Sequence, residues 1–298
     1  QKSLALIFVY TVATGSIFTY VSYWDSVFFS YCGPGAFLAF ALMTLAILPI
    51  ALVYSEISPL FHTAGGELIY NTVGFNRHVG FLASWLIMAA WISVPPAVVM
   101  AIVTFISRTF GLGLTFGHTM IIGIIILVAV FLMSMQDIQF LVKAQAVCLF
   151  ANITTTLLTG VLLPFSGHWS FANVANLFQT NLEPSAGIPG WIIGMALLIA
   201  FLITPFFGFE TVPQMVEEGD FPTSNTKKAI CGSVLTCGTI YVFFFCVAGL
   251  DSFQTLLSGD AQNGFMTITA MQNLLGWKIW PLIYGCVSIL MGMTASIL

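Results

Sequence analysis

Leu202-Ile203-Thr204-Pro205-Phe206-Phe207-Gly208-Phe209-Glu210 decides the architecture of this chain, because it sets a helix-breaking pair inside an apolar run over residues 190–216. Proline removes a backbone donor and clashes with the preceding turn, and glycine adds backbone freedom, so 204–208 is predicted as a helix interruption. As one helix the run would cover about 40 Å, against a bilayer core of about 30 Å, which leaves room for an unwound stretch.

Outward from this run the chain is uniformly apolar. Hydrophobic residues make up 59% of it and charged residues 6%, too little polar surface to cover a soluble globule. Eight stretches have the length of a membrane helix, over residues 4–30, 35–60, 79–107, 117–135, 139–165, 190–216, 229–250 and 279–298. The first is too long for a removable signal peptide and carries Thr14, Gly15 and Ser16 in its middle. Gln1 in place of Met, and an apolar run that continues to Leu298, give the expectation of a chain cut at both ends.

With the N-terminus in the cytoplasm, Lys2, Arg77, Lys143, Lys227 and Lys228 lie inside and Arg108 and Lys278 outside, which satisfies the positive-inside rule. Trp24, Tyr31, Trp169, Trp277 and Trp280 then fall near the outer boundary and Tyr54 and Tyr70 near the inner one. A multi-pass protein of the plasma membrane is the expectation. The polar excursions 166–189 and 251–277 fall outside, the second with Asp251, Asp260, Asn263 and Gly264 as either a cap or a solvated loop. The six cysteines have no CxxC spacing and the four histidines are scattered, so neither a disulfide framework nor a metal site is indicated, and no cofactor or nucleic acid is expected. A membrane enzyme needs polar catalytic side chains gathered at one depth, and no such cluster is visible.

The first span carries Ala13-Thr14-Gly15-Ser16 between apolar and aromatic residues. Alone, Thr14-Gly15-Ser16 reads as a small-residue patch where two helices approach closely, and Pro205 alone reads as a kink. Together they fall on the first helices of two successive five-span units, and five is odd, so the second unit starts from the opposite side of the membrane. Paired broken helices in inverted repeats mark a transporter's binding site.

Broken helices offer unpaired N–H groups at one end and unpaired carbonyls at the other. N–H groups from Gly15 to Ile17 could meet a carboxylate, and carbonyls near Val12 and Ala13 and around Ile203 and Thr204 could meet an ammonium. That combination suits a zwitterion. Phe206 and Phe207 could pack over its side chain, though 28 phenylalanines make ordinary packing the default. Glu210 is a carboxylate inside a span, read either as a gating or coupling residue or as an interfacial side chain reaching water. Gly33-Pro34-Gly35 is read as a turn opening span two, Gly65-Gly66 as the end or bend of a helix, and Glu217 to Lys228 as a solvated loop.

Three stretches resemble the amino acid, polyamine and organocation permeases. Gly33-Pro34-Gly35 through Glu56 to Thr63-Ala64-Gly65-Gly66-Glu67-Leu68-Ile69-Tyr70 is similar to the family's second span and its Gly-Gly-x-x-x-Tyr loop. Phe75 to Trp85 resembles the start of the third span, and Phe207-Gly208-Phe209-Glu210 with Glu217-Glu218 and Lys227-Lys228-Ala229-Ile230 the sixth and its exit. The resemblance implies a leucine-transporter-type fold of five plus five inverted spans with helices 1 and 6 broken, lacking part of the second repeat. It also implies a secondary transporter that moves amino acids by alternating access, with ligand contacts at Ala13, Thr14, Gly15, Ser16 and Ile17 and at Ile203, Thr204, Phe206, Phe207 and Gly208. Only one glycine of the family's Gly-x-Gly-Ile-Phe motif is kept. The span-five position where some members carry a coupling lysine falls on Asn152, which leaves proton coupling through a lysine unsupported. A sodium ion could use backbone carbonyls of span one with Thr294 or Ser296 of span eight, although hydroxyls in a helix more often bond their own backbone. Alternatives are a permease for a cationic amine or polyamine, which would need Glu210 facing the site, and a transporter-like sensor.

Overall fold

A computed structural model describes residues 5–61, 65–109, 112–177, 179–180, 182–206, 208–251 and 266–295. Phe207, Ser296, Asp260, Asn263 and Gly264 lie outside the described residues, as do the side chains of Ser16 and Ile17. The helices are α1 (Leu6–Cys32), α2 (Ala36–Ile57), α3 (Gly66–Gly74), α4 (Arg77–Thr109), α5 (Phe116–Ser134), α6 (Ile138–Leu162), α7 (Phe171–Ala175), α8 (Gly190–Phe206), α9 (Thr211–Met215), α10 (Thr226–Gly238), α11 (Ile240–Ala248), α12 (Met266–Thr269) and α13 (Ile279–Ala295).

Among the described residues, six helical stretches are long and apolar enough to cross a membrane, namely Val27–Leu60, Arg77–Ser107, Phe116–Ser134, Gln139–Ser166, Gly190–Met215 and Thr226–Ala248. Leu6–Gly15 and Ile279–Thr294 are shorter apolar helices. The outward faces are apolar too. Leu45, Phe81, Ile121 and Phe131 are exposed, which suits lipid as the surrounding solvent.

α1 runs through the bundle and packs on α6, α8, α10 and α13. α5 lies at the periphery against α4, with Gly123 and Val130 buried. Near the α1–α2 turn, the Phe40 ring stacks on Phe244 at 4.3 Å between centroids, while Phe28 meets both edge-on at 5.3 and 5.6 Å. A second apolar cluster joins Val98, Ile102 and Phe105 of α4 to Ile268, Met271 and Tyr284.

The turn read in Gly33-Pro34-Gly35 is a 3-10 turn leading into α2. Gly33 has φ 54°, and a Cβ there would lie 2.3 Å from the Gln179 carbonyl oxygen, so both backbone strain and space require glycine. Gly65-Gly66 departs from the expectation: the pair opens α3 rather than ending a helix. Nine residues are too short to cross a bilayer, which is why a search for spans passes over α3.

The expected break at Ala13–Ser16 is corrected. Backbone dihedrals stay helical across it, and the departure within α1 falls at Trp24 (φ −127°, ψ 20°). The small residues serve the close approach that was the alternative reading. A Cβ on Gly15 would lie 2.5 Å from Gln145 Nε2 and 2.8 Å from Met291 Cε. The Thr14 hydroxyl donates to the Tyr10 carbonyl at 2.8 Å, a bond that keeps a polar side chain inside the helix.

Candidate functional site

The sixth span is interrupted, but later than the predicted 204–208: α8 stays helical through Thr204 and Pro205 to Phe206, and α9 begins at Thr211. Between them Gly208 adopts φ 147°, a conformation other residues enter only with strain. The turn satisfies itself. Glu210 Oε2 accepts the Gly208 N–H at 2.6 Å, and the Gly208 carbonyl accepts from the Thr211 hydroxyl at 2.6 Å and the Thr211 N–H at 3.1 Å. Glu210 is 5% exposed, which sets aside its reading as an interfacial side chain reaching water. Its carboxylate sits where a bound anion would meet a freed N–H.

α1 packs against both α8 and α9, and its Val9 and Ala13 belong to the main apolar core together with Leu202, Phe206 and Phe209. Other candidates are placed differently. The Ile203 and Thr204 side chains are exposed, and Phe206 is buried against Phe40 with ring centroids 6.3 Å apart. The expected free N–H groups from Gly15 to Ile17 are not released, because α1 is continuous there. The Thr14 carbonyl receives the Cys237 thiol at 3.8 Å.

Asn152 is fully buried in α6. Its Oδ1 accepts from the Thr156 hydroxyl at 3.0 Å, and its Nδ2 has no hydrogen-bond partner among the described residues. Two turns away, Gln145 is also buried, with Oε1 likewise unpartnered among them. Thr294 bonds the Leu290 and Met291 carbonyls of its own helix, each at 3.0 Å, so its hydroxyl proton is already committed.

Glu67 escaped sequence reasoning. It lies in the first turn of α3, 5% exposed, where Tyr54 Oη donates to Oε1 and Gln214 Nε2 to Oε2, both at 3.3 Å. Tyr54 also meets the Phe209 ring edge-on at 5.5 Å. Neighbouring Tyr70 has its phenol raised above the usual range by burial and by the Glu67 charge. The available signal was an acidic residue inside the Gly-Gly-x-x-x-Tyr stretch, but an isolated Glu in a polar segment gives no indication of burial.

The described residues thus form an all-helical, multi-pass membrane protein with an interrupted helix packed beside a central one. The chain belongs to the amino acid permease family, whose match covers residues 2–297. That family is one of transporters rather than enzymes, and it implies the leucine-transporter-type fold. The chain is similar to the glutamate/serine transporter AimA of Bacillus subtilis, at 27% identity over 70% of this chain and 40% of AimA. It is also similar to the chloroplastic cationic amino acid transporter 7 of Arabidopsis thaliana, at 23% identity over 77% of this chain and 40% of that protein. The chain thus spans about 40% of the length of the curated relatives it matches.

Proposed function

We propose that this chain forms the core of a secondary transporter that moves zwitterionic amino acids by alternating access, in a plasma membrane with its N-terminus in the cytoplasm. The substrate sits at the α8–α9 interruption, beside Ala13–Ile17 of α1. The observation that carries this reading is the Glu210–Gly208 contact at the interruption. A substrate carboxylate displaces the Glu210 carboxylate from the Gly208 N–H, and the freed Glu210 then loosens the turn between α8 and α9. Ligand binding and helix movement are thereby one event, and Glu210 acts as the gating residue.

A second reading, favoured by the burial of Glu210, is a permease for cationic amines in which this carboxylate holds the ammonium. The transporter of cationic amino acids among the relatives agrees with it. Thermal stability of the full-length protein, measured against amino acids, amines and polyamines, separates the two readings, since a ligand bound only to the folded state raises it. On the first reading Glu210→Gln keeps stabilisation by amino acids and slows exchange across vesicles. Complete loss of stabilisation in a folded Glu210→Gln protein supports the cationic reading. No response of the wild type to any amino acid or amine refutes both.

A further inference from the structure

Between the spans Val27–Leu60 and Arg77–Ser107 the chain turns at one boundary of the membrane, yet several of its outward residues there are apolar. Leu60 is 71% exposed, Val73 67% and Phe75 75%, while Glu67 of the same segment is buried. An apolar edge at the ends of two spans fits the layer between headgroups and acyl chains, where side chains meet hydrocarbon and the backbone beside them meets water. The segment is fixed to α4. A Cβ at Gly80 would lie 2.8 Å from the Leu68 carbonyl oxygen and 3.0 Å from the Thr72 nitrogen, so α3 crosses the start of α4 in backbone contact.

Arg77 opens α4 and heads an exposed stripe. Phe81 and Trp85 follow it at intervals of four residues, 65% and 55% exposed, with their rings stacked at 6.4 Å between centroids and 20° between planes. At 1.5 Å per residue, Trp85 lies about 12 Å along the helix from Arg77. The helix end is already capped, since Asn76 Oδ1 accepts the His78 and Val79 N–H groups, each at 3.0 Å. The Arg77 side chain is not committed in this way. It is exposed, and the ion pairs among the described residues, His168–Asp251 and Lys227–Glu56, do not include it. A guanidinium at headgroup depth with two stacked rings below it matches the outline of one phospholipid, the phosphate on Arg77 and an acyl chain along Phe81 and Trp85.

We propose that the α3–α4 corner is a binding site for an anionic phospholipid, held by Arg77 and by the Phe81–Trp85 stripe. Charge selects the lipid. A zwitterionic headgroup brings its own cation to the phosphate, whereas an anionic headgroup leaves a net negative charge for Arg77, and one cation near the membrane surface is worth about fivefold in binding. The site is independent of what the protein carries, because none of these residues belongs to the α8–α9 interruption or to α1.

Tryptophan quenching on the full-length protein in bilayer nanodiscs tests this. The probes are phosphatidylglycerol and phosphatidylcholine brominated on the acyl chain, and the Trp85 signal is the difference from Trp85→Phe. Phosphatidylglycerol should occupy the stripe about fivefold better than phosphatidylcholine, and added salt should shrink the preference. Arg77→Gln should remove the preference and leave quenching by phosphatidylcholine as it was, while Arg77→Lys, which keeps the charge, should retain most of it. Equal occupancy by the two lipids in the wild type overturns the proposal. So does a preference that survives Arg77→Gln, which puts the attraction elsewhere. Failure of either lipid to quench Trp85 overturns it as well, because the stripe is then covered by protein.

Discussion

Gly194→Ala and Gly15→Ala add the same methyl group at two glycines of the helix pair that carries the candidate site, and the structure assigns them different costs. On α8, a Cβ at Gly194 would lie 1.9 Å from the Tyr31 carbonyl oxygen and 2.9 Å from the carbon behind it. Both atoms are backbone at the end of α1, so α8 must retreat by roughly 1 Å or more to restore an ordinary contact. At Gly15 the obstacles are the tips of Gln145 and Met291. Met291 is flexible, and the Gln145 amide has no bond on Oε1 among the described residues to resist rotation. Overpacking costs about 1–3 kcal/mol, and alanine recovers about 1 kcal/mol of helix propensity at either position. Gly194→Ala should therefore lose about 2 kcal/mol, and Gly15→Ala should stay within about 1 kcal/mol of wild type. Equilibrium unfolding of the full-length protein in mixed micelles measures both, with Gly117→Ala as the reference, since nothing lies within 4 Å of a Cβ there. Equal losses at 194 and 15, or a greater loss at 15, would refute the distinction between rigid and yielding surroundings.

Asn152→Leu removes an amide whose Nδ2 is unpartnered among the described residues and releases the Thr156 hydroxyl to its own helix, so stability should change by no more than about 1 kcal/mol. A thermal melt showing a far larger loss would mean that a ligand or water holds that amide in the working protein. Trp280→Phe loses the indole N–H bond to Thr159 Oγ1, 2.8 Å long, at a cost of about 1 kcal/mol. A double-mutant cycle with Thr159→Val should recover that coupling, and additive effects would show that the bond contributes nothing.

The α8–α9 interruption was legible because its cause is local: Pro205 and Gly208 act on the turns that contain them. The continuity of α1 was not, since Thr14-Gly15-Ser16 can either unwind a helix or let a neighbour approach, and the packing of Gln145 and Met291 against Gly15 goes with the second. Thr294 was read with both options open, and its own backbone took the hydroxyl. Glu67 gave no local sign of burial, because its partners Tyr54 and Gln214 lie 13 and 147 residues away.

By itself, the sequence determined which stretches are apolar enough for lipid and where one of them must be interrupted, because hydrophobicity accumulates residue by residue and proline and glycine act on their own backbone. Tertiary structure alone decided that α1 stays helical to Trp24, that Glu67 and Glu210 are buried at one end, and that Asp25 meets Thr267 at the other. These depend on which helices touch, and contacts between distant residues leave no periodic trace along the chain.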